Sequence, residues 1–452
     1  MRHSLYVQNH FGAKLFDICT IDNYNKTNRK EEPMMKKVYL CIDLKTFFAS
    51  VECSERHLDP FKTNLVVADP TRGNGALCLA ITPQMKSMGI HNRCRIFEIP
   101  KGVEYITAMP RMHLYMEYSA RIYRIYCRYV SPDDIHVYSI DECFIDITSY
   151  MHLYHKSAKE FAKMLMQAVF ADTHITATCG IGTNLYLAKV ALDIISKHTK
   201  ENIGILDEER YQKYLWHHLP ITDFWHMGSG TANHLLKLGV VDMHGITQIP
   251  EEILYKEFGI NAEYIIDHAW GREPATIASI KKYRPKNESI NNSQVLFSDY
   301  EYEDAILVVK EMVELNVLRL VESRLVTNHI SLYIGYSRTD GGGWAGGSRK
   351  LTVRTNSLSV LMDAFISIYH LKVQKGRLIR QISISFGDVL DESYESYDLF
   401  SDIEALEEEK KLQRTLVSIR HKYGKNAILK LMNKQEKATT EKRNTLIGGH
   451  NA

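Results

Sequence analysis

Two short stretches of the chain alternate apolar and polar positions, and each leads into carboxylates. Residues 38–43 read VYLCID and residues 135–140 read IHVYSI. This period of two predicts strands within a sheet core. Asp43 ends the first strand, while Asp141 and Glu142 follow the second. Because a carboxylate at the end of a buried strand is costly unless something binds it, these three residues are the first candidates for chemistry.

Asp141 and Glu142 can serve one site only at a turn, since neighbours on a regular strand face opposite sides of a sheet. The run 143–147 (CFIDI) predicts a second strand, so we place the pair at a hairpin tip beside the end of the Asp43 strand. Three carboxylates there could hold two Mg²⁺ ions about 4 Å apart, the arrangement that assists in-line displacement at phosphorus. Taken alone, an Asp-Glu pair is also typical of a solvated turn, and an aspartate after a strand is typical of a helix cap.

Helical periodicity appears in the middle of the chain. Spacings of three and four between apolar residues predict a helix over 111–129, and a further helix over 184–195 follows two glycines. Residues 205–272 have the pattern of a small helical domain. Beyond it the pattern is a βαββαβ order: strand 289–297, helix 302–325, strand 329–336, strand 348–355, helix 358–371 and strand 377–386.

Composition bounds the protein class without defining a partner. A chain of 452 residues is too long for one core and predicts several domains. The net charge is only +2, so any charge that binds DNA must be local. The cysteines form no Cys-x-x-Cys pair, which favours reduced core cysteines of an intracellular protein. No apolar stretch reaches membrane-spanning length and the N-terminus lacks a signal-peptide pattern, so we expect a cytoplasmic protein without a membrane partner.

The two acidic motifs carry a specific resemblance to a known family. Ile42-Asp43 followed by 47–52 (FFASVE), and 139–142 (SIDE) followed by an aromatic and Asp146, resemble the motifs of Y-family lesion-bypass DNA polymerases, most closely the bacterial UmuC-like branch. The resemblance covers roughly residues 36 to 425. It implies an α+β multidomain fold of the right-hand polymerase type, with a palm, small fingers, a helical thumb and a βαββαβ little finger.

The resemblance also implies domain boundaries. We expect an N-terminal extension 1–35, palm 36–48 and 112–204, fingers 49–111, thumb 205–272, linker 273–288, little finger 289–388 and C-terminal tail 389–452. The extension lies outside the resemblance, so Met34 or Met35 is a candidate start of translation.

The family's catalytic metal site maps onto the acidic motifs. Asp43, Asp141 and Glu142 match the carboxylates that hold two Mg²⁺ ions, and the backbone carbonyl of Leu44 matches a further oxygen ligand. The resemblance thus assigns roles to the three residues that the strand patterns had already selected.

The nucleotide site is implied by two aromatics and two lysines. Phe48 matches the steric gate, whose ring clashes with a ribose 2′-hydroxyl, and Phe47 lies next to it. Both phenylalanines could equally be core aromatics at a strand-to-helix junction. Lys86 and Lys197 match cations that contact the triphosphate, although solvation is the common state of a lysine.

Two positions depart from the family's pattern. Thr82-Pro83 stands where relatives often have a tyrosine near the triphosphate, and Lys45 stands where many have a second acidic residue. These changes leave the carboxylates intact and concern the nucleotide pocket.

Contacts to DNA are implied in the thumb and the little finger. Residues 226–232 (HMGSGTA) resemble a helix-hairpin-helix that offers the backbone amides of Gly228 and Gly230 to a phosphate, although a plain helix connection has the same composition. In the little finger, a glycine-rich hairpin carries cations, with a solvated hairpin as the alternative. These cations are Arg338, Arg349, Lys350 and Arg354.

The tail contains a candidate clamp-binding peptide. Residues 396–400 (SYDLF) resemble the short motif by which bacterial polymerases dock on the sliding clamp, with Leu399 and Phe400 as the apolar anchors. Ser396 and Tyr397 replace the usual glutamine and aliphatic residue.

These features predict a template-directed, Mg²⁺-dependent DNA polymerase that bypasses damaged template bases. It would add deoxynucleotides from dNTPs to the 3′-hydroxyl of primed template DNA. Low fidelity and a place in the DNA-damage (SOS) response are implied by the resemblance alone. The alternatives are a non-catalytic, polymerase-like DNA-binding or clamp-associated protein, and a nucleotide cyclase built on a related palm.

Overall fold

The computed structural model describes residues 37–285, 288–399 and 401–451. They fall into two units, one ending at Arg284 and the other beginning at Pro285. The predicted extension 1–35 lies outside the described residues. Among the residues that are described, no helix is both long and apolar enough to cross a membrane.

The first unit contains the acidic motifs. Its elements are β1 (Tyr39–Leu44), α1 (Phe47–Glu55), β2 (Leu65–Val67), β3 (Ala80–Ile81), α2 (Pro83–Ser87), β4 (Ile106–Ala108), α3 (Met112–Tyr126), β5 (Ile135–Val137), β6 (Glu142–Asp146), α4 (Thr148–Leu153), α5 (Ala158–Thr173), β7 (Ala177–Gly182), α6 (Leu185–Val190), β8 (Ile203–Leu206), α7 (Glu208–Leu215), α8 (Ser229–Lys237), α9 (Met243–Thr247), α10 (Glu251–Phe258), α11 (Ala262–Ala269) and α12 (Ile277–Lys282).

The central sheet of this unit has the strand order β5-β6-β1-β7-β8. Strand β1 lies in the middle and pairs antiparallel with both β6 and β7, and all of its residues except Asp43 are buried. This burial explains why nearly every residue of 39–44 is apolar. The exception is Asp43, a charged residue near the end of a core strand, and apolar packing does not explain its presence there.

Two glycines of β7 let a helix approach the sheet. A Cβ at Gly180 or Gly182 would collide with the backbone of Ala188, and at Gly180 also with Leu192. These glycines therefore serve close helix–strand packing. Helix α6 continues as a π-helical turn over Ala191–Ile195, an irregularity that often marks functional positions.

The predicted fingers and thumb segments form smaller layers of the first unit. Strands β3, β2 and β4 make a separate sheet, and β2 pairs antiparallel with β3 and parallel with β4. Helices α7 to α11 share one hydrophobic core with α6 and with residues of β1 and β6 in the central sheet. The segment 273–288, predicted to be a linker, instead contains α12, because Ile277 and Ile280 are buried in that same core.

The second unit has the element order that the sequence predicts. It contains β9 (Glu288–Tyr300), α13 (Tyr302–Ser323), β10 (Leu325–Tyr336), β11 (Trp344–Thr355), α14 (Leu358–Lys372), β12 (Ile379–Asp391), α15 (Ile403–Tyr423), α16 (Thr440–Asn444), β13 (Leu446–Ile447) and β14 (His450–Asn451). The antiparallel sheet has the order β11-β10-β12-β9, and α13 and α14 share one apolar core with it.

The predicted tail is largely folded onto the second unit. Glu311 of α13 is buried, and its carboxylate accepts hydrogen bonds from Asn433 Nδ2 (3.0 Å), Thr439 N (2.7 Å) and Thr440 N (3.2 Å). A buried carboxylate with several donors is stable only when all of them are in place. Glu311 therefore anchors the C-terminal segment, a role that the charged composition of the tail did not predict.

Candidate active site

The hairpin tip and the end of β1 bring the three predicted carboxylates together. In the register of the sheet, Asp43 lies directly opposite Glu142. Asp141 sits in the turn just before β6, and its carbonyl accepts a 3.0 Å hydrogen bond from Leu44 N. Ser139 Oγ donates to Asp141 Oδ1 at 2.6 Å and fixes the carboxylate within the turn. The geometry is thus neither a helix cap nor a freely solvated turn.

Glu142 is held by partners that sequence reasoning did not assign. It is only 9% exposed, and Lys189 Nζ of α6 lies 2.8 Å from Oε1 and 2.9 Å from Oε2. Cys41 Sγ donates to Oε1 at 3.1 Å. Lys189 also lies 3.1 Å from Asp193 in the π-helical turn. The signal for these residues was weak, because a lysine and an aspartate four apart on a helix resemble any surface ion pair.

Asp43 forms no ion pair with the residues that the structure describes, although the charge of Lys189 reaches it. Burial, followed by repulsion from Asp141 and Glu142, raises the pKa of Asp43 to about 8. Burial also raises the pKa of Glu142, against the attraction of Lys189. Several carboxylates that meet at one largely buried place are the donor set that a hard divalent cation satisfies. The residues therefore fit the predicted Mg²⁺ site.

Three lysines form the positive side of the site. Burial lowers the pKa of Lys86. The charges of Asp43, Lys197 and Lys45 also act on Lys86, so these four side chains lie close enough to interact electrostatically. Lys197 is 58% exposed and its Nζ lies 3.9 Å from Asp193 Oδ1. The structure thus brings both predicted lysines to the Asp43 side.

Lys45 joins this group from a position that departs from the family. Its pKa is lowered by burial, and Nζ donates a 2.5 Å hydrogen bond to Asn202 Oδ1. Lys45 lies two residues after Asp43, in the turn between β1 and α1, and the charge of Asp43 acts on it. The departure therefore adds a cation next to the carboxylates.

A tight turn aims the two phenylalanines differently. Thr46 caps α1 in the left-handed region (φ 46°, ψ 46°), a strained conformation for a β-branched residue. Phe47, the next residue, is buried, while Phe48 is partly exposed. The structure therefore favours core packing for Phe47 and leaves Phe48 as the ring that a nucleotide could meet.

A buried network supports the ring of Phe48. Tyr115 of α3 stacks on Phe48, with ring centroids 4.6 Å apart and planes at 22°. The Tyr115 hydroxyl donates to Glu52 Oε1 at 2.8 Å, and Arg111 donates to both Glu52 oxygens at 2.9 and 2.7 Å. Arg56 also pairs with this carboxylate. The sequence patterns did not connect Tyr115 to Phe48, because the two residues are 67 positions apart.

Thr82 has an internal role that explains its departure from the family. It is fully buried, and its hydroxyl donates to Thr63 O at 2.7 Å and accepts from Leu65 N at 3.2 Å. Pro83 then begins α2. The hydroxyl of Thr82 thus links the end of β3 to the start of β2 and is not available to a phosphate.

The predicted DNA contacts occupy different surfaces. Gly228 caps α8 and is exposed together with Gly230 at the N-terminus of that helix. In β11, Arg349 lies on the helix-covered face and donates to Ser367 Oγ of α14 at 3.1 Å. Lys350, the next residue along β11, is exposed, and the pairing of β10 with β11 shifts its register between Lys350 and Thr355. The exposed Arg338 begins the turn after β10.

The clamp-binding candidate is only partly described. Leu399 is 99% exposed, and Phe400 lies outside the described residues. Ser396 is anchored to the edge strand β11, since its backbone N donates to Arg354 O at 2.9 Å.

Comparisons with known proteins agree with this arrangement. The impB/mucB/samB family model matches residues 42–193. The chain is 31% identical over 419 residues to the putative UV-damage repair protein UvrX of Bacillus subtilis, covering 92% of this chain and 98% of that protein. DNA polymerase IV 2 of the same organism is 27% identical, covering 92% and 99%. A solved Y-family DNA polymerase chimera of Dbh and Dpo4 has a TM-score of 0.59 at 19% identity, covering 78% of this chain and 99% of its own.

The right-hand polymerase fold and the full-length similarity define one class of protein. The chain belongs to the Y-family of DNA polymerases, the impB/mucB/samB family. This confirms the predicted family, the predicted fold class and the predicted enzyme class, a DNA-directed DNA polymerase.

Proposed function

We propose that the protein is a translesion polymerase that transfers a nucleotidyl group from a dNTP to a primer 3′-hydroxyl with the help of two Mg²⁺ ions. The observation that carries the proposal is the convergence of Asp43, Asp141 and Glu142, where burial and repulsion raise the pKa of Asp43 to about 8. Buried carboxylates placed together at such a cost are typical of sites that bind cations from solution.

Each group of residues has a distinct role in this proposal. Asp43, Asp141, Glu142 and the Leu44 carbonyl would hold the ions, which when bound supply Lewis acidity to attacking and leaving oxygens. Lys189 keeps Glu142 ionised and oriented by its two short contacts. The lysines 45, 86 and 197 would bind the triphosphate as point charges.

The same proposal includes selection of the sugar. The ring of Phe48, backed by Tyr115, would exclude a 2′-hydroxyl. We expect Phe48→Ala to raise ribonucleotide incorporation about hundredfold, because a pocket discriminates poorly against one extra hydroxyl without a clash. Single-nucleotide incorporation with matched dNTP and rNTP measures this. Unchanged sugar selection in a folded variant would remove Phe48 from the gate.

Lesion bypass and docking on the sliding clamp also belong to the proposal. The relative UvrX is described as a putative UV-damage repair protein, which supports a role at damaged templates. The exposed Leu399 supports a docking peptide. The double variant Leu399→Ala, Phe400→Ala would test the clamp contact, because it keeps the anchored C-terminal segment; clamp stimulation of the variant and the wild type on primed DNA would be compared.

The deciding experiment is primer extension on an undamaged template and past a defined lesion. We expect wild-type protein to extend both primers with Mg²⁺, and Asp141→Ala to lose extension while retaining affinity for primed DNA in a binding assay. Asp172→Ala, a surface carboxylate paired with Arg121, is the control and should extend normally. Extension by Asp141→Ala would contradict the metal assignment, and extension that stops at the lesion would restrict the function to undamaged DNA.

The same assay separates the alternatives. A non-catalytic polymerase-like protein would bind primed DNA without extending it. A nucleotide cyclase would turn over nucleotide without primed template. The intact carboxylates favour the polymerase over the first, and the supported ring of Phe48 favours it over the second.

A further inference from the structure

A cluster of two imidazoles and one carboxylate lies on the thumb segment, apart from the elements that carry the acidic motifs. His217 follows α7, Asp242 caps α9, and His244 lies in the first turn of α9. Their potential ligand atoms all lie within 4.8 Å of one another. The set offers two nitrogen donors and one oxygen donor on a partly open surface.

The carboxylate of Asp242 divides its two oxygens between two tasks. Oδ1 accepts a 2.7 Å hydrogen bond from Gly245 N and thereby caps the helix. Oδ2 lies 2.8 Å from His217 Nδ1. The side chain is only 17% exposed, so its position is fixed by the cap while Oδ2 remains directed at the imidazole. A metal ligand needs this kind of independent orientation.

Backbone and aromatic contacts hold the two histidine segments together. His244 N donates to Trp216 O at 3.1 Å, which joins the start of α9 to the residue before His217. The Trp216 ring lies 5.0 Å from the His244 ring, and its Nε1 donates to Ala269 O at 2.8 Å. The imidazoles of His217 and His244 are 4.8 Å apart by their ring centroids. The backbone that carries the donors is thus organised before any ligand arrives.

An ordinary surface ion pair explains only part of this arrangement. It accounts for His217 and Asp242, but it gives the imidazole of His244 no role beyond its contact with Trp216. Two neutral imidazoles and a carboxylate match the preference of Zn²⁺, whereas Mg²⁺ prefers an all-oxygen set. Three protein ligands also leave one tetrahedral position open to water.

We propose that His217, Asp242 and His244 form a Zn²⁺ site on the thumb segment, distinct from the Mg²⁺ site at the acidic motifs. By linking the end of α7 to the start of α9, a bound ion stabilises the thumb segment. The proposal rests on the geometry of the three side chains and is independent of the polymerase function.

Zinc binding to the chelator-stripped full-length protein tests the proposal. Excess Mg²⁺ should be present throughout so that the carboxylates of the acidic motifs do not compete for Zn²⁺. We expect one equivalent of bound Zn²⁺ by equilibrium dialysis, a rise in melting temperature with Zn²⁺, and visible absorption bands when Co²⁺ replaces Zn²⁺. The variants His217→Ala and His244→Ala should each bind Zn²⁺ about tenfold more weakly or worse.

Two further variants separate metal binding from folding. Asp242→Asn keeps a good helix cap but loses the carboxylate, so it should fold and still bind Zn²⁺ more weakly. His218→Ala is the matched control, because His218 is the neighbouring histidine and also contacts an aspartate, Asp223, at 2.9 Å. It should bind Zn²⁺ as the wild type does. Absence of Zn²⁺ binding by wild-type protein, or equal binding by the three triad variants and the wild type, would overturn the proposal.

Discussion

Two carboxylates at opposite ends of the β1–α1 segment have opposite electrostatic surroundings. Asp43 faces Asp141 and Glu142, and burial and repulsion raise its pKa to about 8. Glu52 is fully buried, yet its pKa is lowered, because hydrogen bonds from Arg111, Arg56 and Tyr115 outweigh the effect of burial. The eight residues between Asp43 and Glu52 thus separate a carboxylate beside other carboxylates from one that is surrounded by hydrogen-bond donors.

The difference shows how to distinguish a reactive carboxylate from a positioning one. Glu52 is satisfied within the protein and orients Tyr115 under the ring of Phe48. Asp43 forms no ion pair with the described residues and lies beside two further carboxylates, a setting that is common for functional carboxylates. The partners of the two residues therefore distinguish them better than burial does.

The largest expected effect is that of Asp43→Asn. We expect primer extension to fall about thousandfold, because metal stabilisation of a transition state is worth several kcal/mol. In metal-free buffer near pH 7 the free energy of unfolding should rise by about 1 kcal/mol or more, since the raised pKa of Asp43 makes folding take up a proton at that pH and an amide does not. Extension kinetics and urea unfolding measure the two quantities. A loss of stability together with the loss of activity would mean that Asp43 is structural.

Glu52→Gln should have the opposite signature. We expect the free energy of unfolding to fall by about 2–3 kcal/mol at pH 7, because buried donors lose a charged acceptor. Since the folded pKa of Glu52 lies below its ordinary value of 4.5, its stabilisation is present above that pH and disappears as the pH falls through the folded pKa. The deficit in the free energy of unfolding of Glu52→Gln, relative to the wild type, should therefore become smaller at acidic pH.

Urea unfolding between about pH 3 and pH 7 follows that deficit. The control is Glu55→Gln, on the same helix, whose carboxylate is exposed and accepts one hydrogen bond from Tyr118 at 2.7 Å. It should cost less than about 1 kcal/mol. Equal losses for the two variants, or a deficit for Glu52→Gln that does not change with pH, would contradict the contrast with Asp43.

Tyr115→Phe is the smallest expected change and tests the link between Glu52 and the gate. The ring still stacks on Phe48, but one hydrogen bond to a charged acceptor is lost, so stability should fall by about 1–2 kcal/mol. Sugar selection should relax less than tenfold, well below the effect of Phe48→Ala. Tyr118→Phe, one turn further along α3, should leave sugar selection unchanged. If both tyrosine variants leave it unchanged, the network supports folding only.

Much of the fold could be predicted because the apolar residues of each long strand or helix recur at the spacing typical of that element. The period of two in 38–43 and the successive periods beyond 288 predict strands and helices whose observed bounds differ by a few residues. Helix α12, inside the predicted linker, could not be predicted because it is short and its two buried isoleucines give too little periodicity to mark a helix. The anchoring of the tail could not be predicted either, since Glu311 lies more than one hundred residues before its partners.

Local patterns along the chain mark Asp43, Asp141 and Glu142 as candidates, because these carboxylates interrupt apolar strands where a charge is costly. The motifs that follow one another along the chain also identify the family. The contact of Lys189 with Glu142, the stacking of Tyr115 on Phe48 and the approach of Lys45 to the other lysines are visible only in the folded chain. They could not be predicted because the balance of charge at a site depends on which distant side chains the fold brings together. That information is contained in no local pattern of the chain.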